Sequence, residues 1–262
     1  MAETVLMAAT RSISGVSLEV EDKGDGRPLL FLHAGDPLTL GAPSIDLLAY
    51  DYRVIAPCLP GWGSSELPRW MTSVEDLAYL MLDLADTLGL ENAVLAANSF
   101  GGWIAAEMLV RNQARFGHVV LAAPFGCKFG ERTEREITDI HALDQARLLQ
   151  TTWADAERGR VDLTAKAEAE LAQIAQAREA WALFGWKPYM HNPRLRYWLH
   201  RINVPTLILR GESDGVVGQD YVNNWAAGLA NASSQTIADA GHYIPNEQPQ
   251  AFIDAVRAFA AP

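Results

Sequence analysis

The stretch Val94-Leu95-Ala96-Ala97-Asn98-Ser99-Phe100-Gly101-Gly102-Trp103 restricts the fold more than any other part of this chain. An apolar run of strand length passes through a small-x-Ser-x-small turn straight into a helical pattern. Such a turn strains the backbone at its serine and leaves little room two residues to either side. Ala97 and Gly101 meet that demand. The pattern predicts an α/β chain with Ser99 presented at the end of a buried strand. The same five residues also suit an ordinary serine in a strand-to-helix turn, so the decision falls to residues downstream.

Two later loops supply candidate partners. Pro205-Thr-Leu-Ile-Leu-Arg-Gly211-Glu-Ser-Asp214-Gly215 is an apolar run closed by a Gly/Asp loop, which puts Asp214 beyond the carboxyl end of a strand. Ser234-Gln-Thr-Ile-Ala238 leads into Asp239-Ala-Gly241-His242-Tyr243-Ile-Pro245, and His242 is the strongest candidate among the six histidines. The order is serine, acid, histidine: Ser99 as nucleophile, Asp214 as the acid that orients the imidazole, His242 as general base. Glu212 and Asp239 are nearby rivals for the acid.

A fourth element lies upstream, in Pro28-Leu-Leu-Phe-Leu-His33-Ala34-Gly35-Asp36-Pro37. A backbone N–H that stabilises an oxyanion must approach the substrate closely, which favours small residues after a buried strand. The Phe100 N–H is the first expected donor and Gly35 N–H the second, with Ala34 the alternative if the loop is displaced by one residue. His33 is expected to brace this loop rather than exchange protons with substrate.

At 262 residues and 49% hydrophobic content, the chain suits one sizeable domain carrying an insertion. A net charge of -11 and a pI near 5.0 argue against nucleic acid and anionic membrane surfaces as partners. Arg194, Arg196 and Arg201 form the densest basic cluster, read as a cap surface or a site for a substrate anion. Cys58 and Cys127 are read as free thiols, and their spacing offers no metal site; no cofactor is expected. Met1 to Thr10 has an acid where a signal peptide carries positive charge, and no stretch approaches the roughly 18 apolar residues of a membrane span. A cytoplasmic protein is therefore expected, with a homodimer left open.

Along the chain, Val16–Val20 alternates and Asp22-Lys-Gly-Asp-Gly26 turns, predicting a hairpin that returns through Leu29–Leu32. Residues 36–50 form a weak helix candidate, and Tyr52–Ala56 a strand. Ser73-Val-Glu-Asp76 has the form of a capping box opening a helix to about Leu88, with Val74, Leu77, Met81, Leu84 and Leu88 inward and Gly89 stopping it. His118–Ala122 is a further strand. Between Pro124 and Pro205 the alternation lapses: residues 131–150 and 162–184 are helical in period. Trp153, Trp181, Trp186 and Trp198 lie there, most of them expected to pack this segment onto the core and one or two to line a pocket. A terminal helix follows Asn246-Glu-Gln-Pro249, with Phe252, Val256 and Phe259 inward.

Together these motifs make the chain resemble the serine-nucleophile branch of the α/β-hydrolase superfamily over nearly its whole length. The resemblance implies an α/β fold: a mostly parallel eight-stranded sheet flanked by helices, with a helical cap inserted after strand 6. Residues 1–125 and 199–262 are then the core and 126–198 the cap. Serine at position 99 excludes the branches with an aspartate nucleophile, haloalkane dehalogenases and epoxide hydrolases. Asn98-Ser99-Phe100-Gly101-Gly102 further resembles the elbow of the meta-cleavage-product hydrolases, which split a carbon–carbon bond in vinylogous 1,5-diketones. This chain differs from them in having Ala97 for glycine, Ala34-Gly-Asp-Pro37 for a Gly-rich loop, and Tyr243 for tryptophan. Candidate substrate-binding residues are Ala34, Asn98, Trp186, Arg194 and Tyr243.

Three functions follow. The first is hydrolysis of a small carboxylic ester or related acyl compound through a covalent acyl-enzyme. The second is hydrolysis of a 2-hydroxy-6-oxo-dienoate, with Arg194 or Arg196 holding its carboxylate. The third is a receptor-like protein that keeps the fold and turns over negligibly.

Overall fold

A computed structural model describes residues 9–40 and 42–261. The reading of the amino terminus falls mainly on residues 1–8, outside those described. Eight strands form one sheet: β1 (Ala9–Ile13), β2 (Val16–Lys23), β3 (Arg27–Leu32), β4 (Tyr52–Pro57), β5 (Ala93–Asn98), β6 (Phe116–Ala122), β7 (Thr206–Gly211) and β8 (Ala232–Ile237). Their spatial order is β1-β2-β4-β3-β5-β6-β7-β8. β2 is antiparallel to both β1 and β4, and every other pairing is parallel.

Parallel strands need crossovers, and the helices that supply them cover both faces of the sheet. α1 (Pro43–Leu48) and the terminal α8 (Pro249–Phe259) lie on one side, α2 (Val74–Thr87) and α3 (Phe100–Arg111) on the other. Side chains of a strand point alternately to opposite faces, so each central strand feeds both layers. Leu30, Leu32, Leu95, Ala97, Val119 and Leu121 join the α2/α3 layer, while Leu29, Phe31, Val94, Ala96 and Val120 join the α1/α8 layer. These strands therefore read as continuous apolar runs rather than as alternating ones.

The capping box at α2 forms as the sequence predicts. Asp76 N–H donates to Ser73 Oγ at 3.1 Å and Ser73 N–H to Asp76 Oδ2 at 2.9 Å. Gly89, at φ 60°, ends the helix: its N–H donates to Asp86 O and that of Leu90 to Ala85 O.

Two expectations are corrected. The first hairpin is β1–β2, joined at Ser14-Gly15 with φ 48° and 84°, which is the left-handed pair a two-residue hairpin loop requires. Asp22–Gly26 does turn, but β2 pairs with β4 and never with β3. The second concerns residues 131–150, where helix is confined to a 3-10 turn at Ile140–Ala142 and to α4 (Gln145–Thr152). Arg132 to Ile137 instead run as loop, and Ile137 forms an isolated bridge with Val217. α5 (Glu168–Trp186) follows, then two 3-10 turns leading to β7. Cys58 and Cys127 are free thiols, and among the described residues no helix is long and apolar enough to cross a membrane.

Candidate active site

Ser99 follows β5 at φ 54° and ψ -114°, a conformation that costs on the order of 1–3 kcal/mol and persists only where packing enforces it. The packing is visible in the next two residues. A Cβ on Gly101 would lie 2.3 Å from Leu32 O, and one on Gly102 2.7 Å from Pro124 Cβ, so α3 enters against the ends of β3 and β6 only as glycine. The Ser99 N–H donates to Ala122 O at 2.9 Å.

Asp214 and His242 arrive from the loops after β7 and β8. Ser99 Oγ lies 2.8 Å from His242 Nε2, and His242 Nδ1 lies 3.0 and 3.2 Å from the two Asp214 oxygens. Asp214 Oδ1 also accepts the N–H groups of Val216 at 2.8 Å and Val217 at 3.2 Å, which fixes the carboxylate. The rivals are elsewhere: Glu212 and Asp239 make no bond to the imidazole. Gly211 explains how the two loops meet, because a Cβ there would fall 2.0 Å from Gly241 O. All three polar side chains are shut from solvent, with Ser99 1% and His242 0% exposed.

The loop after β3 borders the elbow: a Cβ on Gly101 would also lie 2.7 Å from His33 O. His33 Nδ1 contacts Ala34 O at 2.5 Å and His33 Nε2 accepts the Leu59 N–H at 3.0 Å. Burial opposes charge on the ring and holds its pKa down to about 4 against the bond to Ala34 O, so the ring is a neutral strut. Gly35 is crossed by the indole of Trp181 from α5, which a Cβ would meet at 2.3 Å, and Gly35 O accepts from Trp62 Nε1 at 2.9 Å. Phe100 stands first in α3, where its N–H has no intrahelical acceptor. Asp36 follows Gly35 directly, and burial raises its pKa although its carboxylate accepts the Leu38 N–H at 3.0 Å.

Residues 29–255 match the family described as the alpha/beta hydrolase family. The chain belongs to it. An AB hydrolase superfamily protein of Bacillus subtilis, YisY, is 30% identical, over 87% of this chain and 89% of its own. A Pseudomonas putida protein named 2-hydroxy-6-oxononadienedioate/2-hydroxy-6-oxononatrienedioate hydrolase 2 is 28% identical, over 90% of this chain and 89% of its own. Among solved structures, a thermophilic esterase from Thermogutta terrifontis superposes with a TM-score of 0.73 at 22% identity, covering 96% of this chain and 97% of its own, a likeness of fold.

Not every residue expected in the site of this α/β-hydrolase is brought to it. Trp186 is 69% exposed at the end of α5, edge-on to Tyr189, so it packs on the surface instead of lining a pocket by the triad. Arg194 is exposed and borders a surface cleft with Glu75, Glu107 and Asn192. Arg196 donates to Phe129 O and lies over the Tyr197 ring. Asn98 is present, and its amide nitrogen is committed: Nδ2 donates to Ala122 O at 2.9 Å and to His242 O at 3.0 Å, so the side chain braces the base loop. Tyr243 is buried between His242 and Trp153, beside Asp36, whose charge together with burial drives the phenol pKa well up. Sequence reasoning missed Trp181 as the cover of Gly35, and Thr152, whose carbonyl accepts the His242 N–H at 2.7 Å. No local signal marks either, since each acts through a contact between distant segments. Among the described residues no cluster of three or more metal-ligating side chains occurs.

Proposed function

We propose that this α/β-hydrolase is a serine esterase that cleaves a small carboxylic ester or related acyl compound through a covalent acyl-enzyme. The observation that carries the reading is the line from Ser99 Oγ through the imidazole to Asp214, at 2.8 and 3.0 Å. His242 Nε2 takes the Ser99 proton as Oγ attacks the acyl carbonyl, and Asp214 orients the ring and stabilises its cation. The Phe100 and Gly35 N–H groups receive the oxyanion; losing one such donor typically costs about 100- to 1000-fold in turnover. The imidazolium then protonates the leaving alcohol, and water activated by the same nitrogen releases the acid. Ala34 and Tyr243 flank the acyl group in this reading, and residues 126–198 act as the cap that closes over it.

The elbow sequence and the Pseudomonas putida relative favour a second reading, carbon–carbon hydrolysis of a 2-hydroxy-6-oxo-dienoate. Against it stands the placement of the two arginines: Arg194 borders a surface cleft with Glu75 and Glu107, and Arg196 is bonded to Phe129 O.

A panel of p-nitrophenyl esters of graded acyl length, run beside a dienoate, separates the two. Ester turnover and fluorophosphonate labelling at Ser99 are expected. Ser99→Ala should lower kcat by about 10⁵-fold or more and abolish labelling. Full activity in that variant would refute the covalent mechanism, and a wild-type protein that resists labelling would favour a receptor-like role.

A further inference from the structure

The mechanism leaves unused one buried acid next to the base. Glu247, the last residue of the short helix α7 (Ile244–Glu247), is 2% exposed. Its Oε1 accepts the N–H of Gly241 at 2.9 Å and of Tyr243 at 3.3 Å, the two residues that flank His242. Its Oε2 accepts the N–H of Ala154 at 2.7 Å, from the segment that leaves α4. No lysine or arginine among the described residues forms an ion pair with it, so the carboxylate is bonded in the interior by three backbone N–H groups, with the charge of Arg158 acting only from a distance. Burial pushes its pKa up, against those three bonds, which marks a group retained at a cost to stability.

The end of α4 touches the catalytic loops at two more points. The final carbonyls of a helix lack intrahelical donors. Here Thr151 O accepts the Gly215 N–H at 3.0 Å, next to Asp214, and Thr152 O accepts that of His242 at 2.7 Å. The fit is close on both sides. A Cβ on Gly215 would meet Thr151 O at 2.8 Å, and one on Gly241 would meet Thr152 O at 2.6 Å and Ala154 N at 2.8 Å. Residues 151–154 thus seat on the acid loop and the base loop together, and Glu247 is the side chain that fastens them.

We infer that Glu247 is a positioning residue acting through His242: it clamps the base loop to residues 151–154, so the imidazole lines up with Ser99 only while that segment is seated. The inference rests on the serine-esterase reading. A bond to the base loop alone would align the ring independently of the segment; the second carboxylate oxygen ties the two together.

Two variants divide the clamp. In Glu247→Gln the amide oxygen still accepts from Gly241 and Tyr243, but its NH2 faces the Ala154 N–H, donor against donor. In Ala154→Pro the N–H is removed with Glu247 intact; Trp153, at φ -118° and ψ 141°, already has the conformation that precedes proline. For each, kcat and KM on p-nitrophenyl butyrate and the fluorophosphonate labelling rate of Ser99 are measured per folded molecule, alongside thermal melting. Expected is a fall of about 10- to 100-fold in both kcat and labelling rate, with KM changed less than about twofold. If Glu247→Gln fails to fold, Ala154→Pro alone decides. Wild-type kcat and labelling rates in the folded variants, whatever their melting points, overturn the inference. A wild-type protein that takes no label overturns the esterase reading first, and this inference falls with it.

Discussion

At the scale of single residues, the site combines groups that act with groups that hold. His33 belongs to the second kind. Its ring accepts the Leu59 N–H and titrates near 4 instead of 6.5, so the folded protein binds fewer protons there than the unfolded chain as pH falls. Stability from this residue is present above about pH 6.5 and is lost progressively down to about pH 4, amounting to roughly 3 kcal/mol. Glutamine offers an acceptor to Leu59 without a titrating ring. Denaturant unfolding of His33→Gln should therefore show less loss between pH 7 and pH 4 than the wild type. An identical pH dependence in the two proteins would mean that the ring is charged when folded. The contrast with Asn98 shows what sequence can and cannot reveal at this scale. Asn98 sits beside Ser99 and reads as a polar site residue, yet its amide joins Ala122 O to His242 O, the latter 144 positions from it in the chain. The position of Ser99, Asp214 and His242 at strand ends was legible because each follows a local pattern. The bracing partners were not, because their selection depends on which strand ends become neighbours.

Among elements, the best-defined are those whose beginnings and ends carry their own chemistry. α2 opens on the Ser73/Asp76 capping box and closes on Gly89. Ser73→Ala should cost about 1 kcal/mol and lower the melting temperature by about 2–4 °C, measured by calorimetry, with hydrolytic kinetics unchanged. An unaltered melting temperature would show that the cap adds nothing beyond the burial of Leu77, Met81 and Leu84. The first hairpin differs from the one the sequence predicts for a physical reason. Both Ser14-Gly15 and Asp22–Gly26 contain residues at positive φ, and both reverse the chain; only the pairing of β2 with β4 tells them apart, and that contact is non-local. The stretch 131–144 departs from its helical reading because charged sequence at helical spacing also suits a loop whose carboxylates bond nearby backbone. Glu136 does so, accepting the N–H groups of Phe129 at 2.8 Å and Gly130 at 2.9 Å.

Taken as a whole molecule, the protein carries a net charge of -11 around a buried Ser99. Its field should repel anionic substrates before they reach Ser99, and salt should relieve the repulsion. For a p-nitrophenyl ester bearing a carboxylate on its acyl chain, kcat/KM is expected to rise severalfold between low salt and about 0.15 M, where the Debye length is about 8 Å. A neutral butyrate ester should show little change. Equal salt responses would place the charge too far from the route of entry to matter.

One oxygen gives this arrangement an unusual kind of permanence. Ala122 O receives both the Ser99 N–H and the Asn98 amide, each at 2.9 Å. Because the acceptor belongs to the main chain, every amino acid at position 122 supplies it, and no point mutation there deletes it. The apex of the elbow is inherited through the register of β6 on β5, where Asn98 lies opposite Ala122. Side chains around the elbow are thus free to drift over generations, while the placement of Ser99 is handed down by the backbone.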